Sequence, residues 1–441
     1  MSNELPKVLI LNQPFNSNTG GGITLTNLFS DWDMDKLAVV CPAYLINQST
    51  QTSICSNYYQ LGSKEHRWVF PFRVIARKYY SGRVSFRSTS SERVSQVKKS
   101  PARVNFIKKY LNPTLEKLGL IHQISSYELS QELKDWIQEY NPDVLYAQAQ
   151  RRENLLFCFL IQQYLQKPMV FHMMDDWVEW IPKGSILGRN WYRQIDYDFR
   201  KVLANTTLHL SISDLMGEEY EKRYGYRFQT FHNPINLEFW KSGQRSSYDL
   251  SSSPEILYAG RIGLGISNSL KLMAEAVSFL NHTFGLDLRF VIQSSESEDW
   301  MTEFEAVEHR AFVPYEELPM RFGQADILFL PYEFSEESVK FFKYSMPTKA
   351  SEYMISGTPV LIFSPDEMAL VTYAKHYQWA RVVTEPSSEA LCGALHQLLL
   401  QKQERQRLAA TAMSIASLRH DGVVVRREFM EQLVQLAKNN P

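Results

Sequence analysis

At 441 residues the chain exceeds the roughly 250–300 residues at which one hydrophobic core stops growing, so two domains are expected. Hydrophobic content of 44% with 13% aromatics excludes a disordered chain. The net charge of −1 hides an asymmetry: Lys64 to Lys109 hold 13 basic residues against two acids, Glu65 and Glu92, while the remainder has 34 basic and 46 acidic residues.

The start, MSNELPKVLILNQ, has no basic region and only a four-residue apolar run, so it does not read as a signal peptide. Lys7–Asn12 reads as a strand, and a helix begins near Ile23 after three contiguous glycines. KLAVVCP is a second strand. An amphipathic helix, an Asn-Pro-Asp turn and the strand Val144–Ala147 follow. Next come the helix Glu153–Leu165, the strand PMVFHM, the strand TLHLSIS and the helix Leu215–Tyr224. A polar stretch, KSGQRSSYDLSSSPE, breaks the pattern, which then restarts. EILYAG, LRFVIQ, ADILFLP and TPVLIF read as strands, with SNSLKLMAEAVSFLNHTF and PTKASEYMIS as helices between them. DGVVVRREFMEQLVQLAKNN closes the chain as an amphipathic helix. Strands alternating with helices in both halves predict an α/β protein of two facing Rossmann-like domains with a ligand cleft between them. The expected boundaries are 1–240, with a basic insertion over about 64–109, then 254–420, then a helix over 421–441 crossing back to the N-terminal domain. The longest apolar segment, NLLFCFLI, is too short to span a bilayer. Cys41, Cys55, Cys158 and Cys392 lie far apart with no CxxC spacing, which argues against a disulfide framework or a zinc site and suits a cytoplasmic setting.

The glycine stretch NQPFNSNTGGGITLTNLF is not a dinucleotide fingerprint. Seven residues separate the strand from Gly20, and no acid ends the next strand. Gly20, Gly21 and Gly22 at a helix start would still present backbone N–H groups to a phosphate; the alternative is an ordinary flexible loop. In ILYAGRIGLG, Arg261 lies just past a strand end, where its planar fork suits a phosphate. Pro347 opens a helix carrying Lys349 and Glu352 three residues apart on one face. A cation for phosphates and a carboxylate for ribose hydroxyls suit a nucleoside diphosphate; the alternative is a surface ion pair.

LSISDLMGEEYEKRYG, FHNPIN, YAGRIG and YSMPTKASEYMISGTPVLI, in this order along most of the chain, resemble the family 4 glycosyltransferases of the GT-B fold. The resemblance implies a nucleotide-sugar held mainly by the C-terminal domain, and metal-independent transfer with retention of configuration. It assigns Arg261 and Lys349 to the phosphates, Glu352 to the ribose, Gly20–Gly22 to the glycine loop, and His172 to the neighbourhood of the sugar. The chain departs from the family pattern twice. No lysine follows Arg261 closely, so Lys271 or Lys340 would substitute, and Tyr344 stands where the first of two glutamates is common.

In FHMMDDWVEW, His172 ends a strand, and Asp175 and Asp176 lie in the loop beyond as candidate bases toward an acceptor hydroxyl. Their alternative is structural, capping a helix or holding Trp177; Trp177 and Trp180 are candidates for stacking on a sugar. The basic segment interleaves cations with Trp68, Phe70, Phe72, Tyr79, Tyr80, Phe86 and Phe106, a composition suited to peripheral contact with an anionic membrane face or a lipid-linked acceptor. No nucleic-acid motif accompanies it. The expected activity is glycosyl transfer from a nucleotide diphosphate sugar to a hydroxyl of a glycan or glycolipid, without metal or other cofactor. The rivals are a binding protein that keeps the fold without turnover, and a nucleotide-sugar epimerase or hydrolase.

Overall fold

Val8-Leu9-Ile10-Leu11 has no polar member, so it is stable as a strand only with both faces covered. It forms β1 (Val8–Leu11), near the middle of a parallel sheet, and all four residues are buried. The structure, a computed structural model, describes residues 5–76, 78–86, 114–115, 120–181, 183–263 and 265–439. The chain divides into two units: Met1–Phe231 with Arg426–Pro441, and His232–Val425. The break therefore falls before the polar stretch rather than within it, and the last helix starts in one unit and belongs to the other from Arg426 onward.

The strands following β1 in the first unit are β2 (Leu37–Pro42), β3 (Tyr58–Leu61), β4 (His66–Trp68), β5 (Gly82–Val84), β6 (Ser125–Tyr127), β7 (Val144–Ala147), β8 (Met169–Met173), β9 (Leu208–Ser211) and β10 (Phe228–Thr230). Among the described residues they make a sheet of order β10-β9-β8-β7-β1-β2-β3-β5, parallel except for β5, and a separate antiparallel ribbon β4-β6. Strand order reverses between β1 and β7, the place where doubly wound sheets take ligands. Asn12 leaves β1 with φ +70°, a left-handed conformation that asparagine tolerates. Its side-chain amide donates to the carbonyls of Gln148 (2.8 Å) and Asn154 (3.2 Å), which fixes the β1 and β7 ends together. The final helix, Gly422–Asn439, supplies Phe429, fully buried among Phe29, Tyr146 and Phe231.

In the second unit, β11 (Glu255–Ala259), β12 (Arg289–Gln293), β13 (Val307–Arg310), β14 (Ile327–Pro331), β15 (Val360–Phe363) and β16 (Arg381–Val383) form an all-parallel sheet. Its order is β13-β12-β11-β14-β15-β16, with the reversal between β11 and β14. Both faces are buried, as the period of two requires. Leu257 and Ala259 pack with Trp240, Phe322 and Tyr353, while Ile256 and Tyr258 pack with Leu270, Phe290 and Phe329 on the other side. The polar stretch is pinned rather than loose: Arg245 pairs with buried Asp326 (2.8 Å), which also accepts from Ser251 Oγ (2.8 Å) and Glu255 N (2.9 Å). Each unit is thus a Rossmann-like α/β fold, in accord with the alternation in the sequence.

Candidate functional site

The end of β11 builds the site in the second unit. After Ala259 the chain turns through Gly260 and Arg261, and Gly263 (φ +123°) and Gly265 (φ +83°) carry it into the helix Ser267–Phe284 in conformations that disfavour a side chain. Arg261 is exposed, and its guanidinium makes no hydrogen bond or ion pair among the described residues. Across the reversal of strand order, Pro347 caps the helix Thr348–Ile355. Tyr353 of this helix anchors it to β11, its hydroxyl accepting from Ala259 N (2.9 Å).

This anchoring brings Lys349 to the β11 end. Its ammonium donates to the Tyr258 hydroxyl (3.2 Å) and lies 4.3 Å from the centre of the Tyr258 ring. The gap it occupies exists only because residue 260 is glycine. A Cβ there would stand 2.1 Å from Lys349 Nζ. Burial pushes the Lys349 pKa down to about 7, opposed by Glu352 and reinforced by Arg261. Burial likewise raises Glu352 to about 7, against the pull of Lys349. Both groups thus lie poised near neutrality, with Arg261 beside them, and a dianionic ligand would draw protons onto the cation.

Neither proposed substitute cation joins this group. Lys271 pairs with Glu303 (3.6 Å) and Lys340 with Glu336 (3.7 Å), both on exposed surface. The first turn of the helix Ser267–Phe284 is taken by the chain's own carboxylate, Glu333, which accepts from Asn268 N (2.9 Å).

In the first unit the three glycines are not a flexible loop but the first turn of the helix Gly20–Leu28. Asn16 organises the entry by accepting from Thr19 N (2.9 Å), and Thr19 caps the helix by accepting from Gly22 N (3.2 Å). Gly22 is required there, because a Cβ would collide with the Asn16 side chain at 2.2 Å. Gly21 faces Gln148, whose Oε1 would stand 3.0 Å from an added Cβ. Gln148 in turn donates to the Tyr146 hydroxyl (3.3 Å), which bonds His172 Nδ1 at 2.6 Å. His172 is fully buried at the end of β8, and burial, partly offset by the Ser211 backbone, lowers its pKa to about 3, so the imidazole is neutral at physiological pH. A run of hydrogen bonds therefore links Gln148, which faces the glycine turn, to His172.

Asp176 lies apart from that run. Its side chain is buried, accepting from Tyr220 OH (2.7 Å) and Arg223 (2.9 Å). These bonds lock the loop to the helix Asp214–Tyr224, so the geometry presents Asp176 as a structural anchor and not as a base facing a ligand. Asp175, half-buried, keeps the more open position. Trp177 is 3% exposed and packs near Phe199 and His122, which removes it from sugar stacking; Trp180 is exposed.

Of the basic segment, residues 87–113 lie outside the described ones, Phe106 among them. Within the described part, Lys64 pairs with Glu132 (2.5 Å), Arg67 with Glu128 (2.9 Å) and Arg83 with Glu139. The excess of charge is therefore partly neutralised by acids from residues 128–139, although Phe70 remains 78% exposed. No helix among the described residues is long and apolar enough to cross a membrane.

Sequence comparison finds no matching family model and no matching curated protein. Comparison by structure places the whole chain beside glycosyltransferases. It is similar to sucrose-phosphate synthase from Thermosynechococcus elongatus, at 11% identity over 99% of this chain and 100% of that one, with a TM-score of 0.63. It is also similar to HepE from Anabaena solved with UDP-glucose (12% identity, 98% and 100% covered, TM-score 0.57). The third is alpha,alpha-trehalose 6-phosphate synthase from Burkholderia multivorans (10% identity, 99% and 100% covered, TM-score 0.56). At these identities the likeness establishes the fold, the two-domain GT-B fold.

Proposed function

We propose that this chain is a glycosyltransferase of the family 4 type, taking its sugar from a nucleotide diphosphate donor and passing it to a hydroxyl of a glycan or glycolipid. The observation that carries this reading is the group at the β11 end, where unengaged Arg261, Lys349 and Glu352 meet at the reversal of strand order. As the bond between sugar and diphosphate breaks, negative charge builds on the leaving phosphate. Arg261 and the protonated Lys349 offset that charge from fixed positions, where electrostatic preorganisation has most effect. Glu352 accepts from the ribose hydroxyls. In this reading transfer proceeds with retention and without a metal ion, and the donor phosphate takes the acceptor proton.

In the first unit, Gln148 Oε1, without a hydrogen-bond partner among the described residues, offers an acceptor to a sugar hydroxyl without adding charge, and the buried neutral His172 backs it through Tyr146. Gly20–Gly22 supply a helix N-terminus beside them. HepE was solved with UDP-glucose, so UDP and UDP-glucose lead the panel to be tried.

The test is a thermal-shift titration with UDP, GDP, ADP, CMP and their sugars on the wild type and on Arg261→Ala. A true donor at about 100 times its dissociation constant adds roughly 2.7 kcal/mol of stability. The reading stands if one nucleotide diphosphate stabilises the wild type and not the variant, and it fails if none does. A second reading, binding without turnover, draws on Glu333 closing the helix start where a second cation is commonly found. Donor bound but never consumed across a broad acceptor panel would decide for it.

A further inference from the structure

We propose that Tyr258 is the positioning residue of the donor site, its phenol joining the Arg261 turn and the Lys349 ammonium into one diphosphate grip. The inference rests on the nucleotide-sugar reading and adds a residue that acts through Arg261 and Lys349. Tyr258 is the fourth residue of β11, and its ring is fully buried with Leu270, Phe290 and Phe329. A phenylalanine would fill the same space. Only the hydroxyl reaches the site, and there it has two partners from distant parts of the chain. It donates to the Arg261 carbonyl at 2.5 Å, closing the turn that carries the guanidinium. It accepts from Lys349 Nζ at 3.2 Å, across 91 residues of sequence. The ring adds a third contact, with the ammonium 4.3 Å from its centre.

The arrangement leaves Lys349 little freedom. Gly260 provides the space for the ammonium, and a methyl there would stand 2.1 Å from Nζ and 2.8 Å from the phenolic oxygen. An ammonium has three N–H donors; one is used on Tyr258, and two remain for phosphate oxygens. The charged and titratable groups facing Lys349 are Glu352 on its own helix, and Tyr258 and Arg261 from β11 and the turn beyond. Tyr315 faces Glu352 in turn. Removing the hydroxyl takes away the acceptor that favours the charged lysine, so the lysine holds its proton less tightly.

The experiment titrates wild type, Tyr258→Phe, Lys349→Met and the double variant with three probes: inorganic pyrophosphate, the nucleoside diphosphate that stabilises the wild type, and its bare nucleoside. Tyr258→Phe should weaken pyrophosphate and nucleoside diphosphate by about tenfold, the scale of one hydrogen bond to a charged group, and leave the nucleoside unchanged. The pH at which diphosphate affinity falls away should move lower, while the melting midpoint of the empty protein stays put. In the Lys349→Met background the same change should cost less than in the wild type, keeping only the part that acts through the Arg261 turn. Equal affinity in Tyr258→Phe, an equal loss for the nucleoside, or full additivity in the double variant overturns the proposal. If Tyr258→Phe does not fold, Gly260→Ala replaces it, since its methyl must part Lys349 from Tyr258; unchanged pyrophosphate binding there is equally decisive against it. A wild type that binds neither pyrophosphate nor any nucleoside diphosphate removes the donor reading itself, whereas a binding wild type with an indifferent Tyr258→Phe removes only Tyr258.

Discussion

The two units reverse strand order in the same way, yet what they place at the reversal differs in kind. Between β1 and β7 the polar groups are amides, a phenol and a neutral imidazole, knitted by Asn12, Gln148, Tyr146 and His172. Between β11 and β14 they are two cations and a carboxylate, with the Arg261 guanidinium unpaired among the described residues. Shared topology therefore fixes where a ligand goes but not which ligand goes there. In the function proposed above, a neutral network would bind hydroxyls without desolvating charge, and a guanidinium beside a poised lysine would bind an anion.

The contrast can be broken at its charged outlier in the first unit. If Asp176 is an anchor, Asp176→Ala should leave the buried Tyr220 hydroxyl unpaired and Arg223 with Glu219 and Glu179, and lower stability by about 3 kcal/mol in urea melts, the upper end for a lost buried hydrogen-bond partner. A variant as stable as wild type but unable to transfer sugar would return Asp176 to the chemistry. Next in size, Arg261→Ala should weaken the nucleoside diphosphate by about 100-fold in calorimetry, as expected for a bidentate hydrogen bond between charged groups. A loss under threefold would mean that the open guanidinium is not the phosphate ligand.

The pH dependence sharpens the same comparison. Lys349 loses its proton near pH 7 in the empty site and Glu352 becomes charged there, so both changes weaken anion binding as pH rises. Diphosphate affinity should fall by up to tenfold per pH unit above about 7, with proton uptake visible as buffer-dependent heats. A flat profile from pH 6 to 9 contradicts the poised pair. The smallest effect is expected in the neutral network: Gln148→Ala should raise the KM for the sugar acceptor severalfold at unchanged melting midpoint, the size of one uncharged hydrogen bond. An effect on diphosphate binding instead would erase the division of labour between the units.

Much of this is legible in the sequence. The helix SNSLKLMAEAVSFLNHTF spans the predicted residues, and Arg261, Lys349 and Glu352 stood out because charged residues beside strand ends and helix starts break the apolar pattern. Tyr258 was invisible. Within EILYA it reads as an ordinary inward strand residue, and its hydroxyl finds Lys349 only after folding joins segments 91 residues apart. Tyr146 in β7 and Gln148 just beyond its end were hidden for the same reason, since neither carries a local signal of its partner. The short edge strands β10, β13 and β16 hold three or four residues each, too few for a period to register against their polar neighbours. The glycines read either as a helix start or as a loop because propensity penalises glycine in a helix, a penalty here overridden by the close approach of Asn16 to Gly22.

Phe429 lies near the end of the chain and completes an aromatic cluster with Phe29, Tyr146 and Phe231. On a ribosome adding about 5–20 residues each second, roughly 10–40 s separate the synthesis of Phe231 from that of Phe429. Throughout that interval the first unit, although made first, has an unfilled socket lined with aromatic rings. The second unit, whose residues run without interruption from His232 to Val425, has all of its parts sooner after its own start. The order of synthesis and the order of completion are thus opposed, and the newborn N-terminal half must remain soluble with that socket open until the last helix arrives.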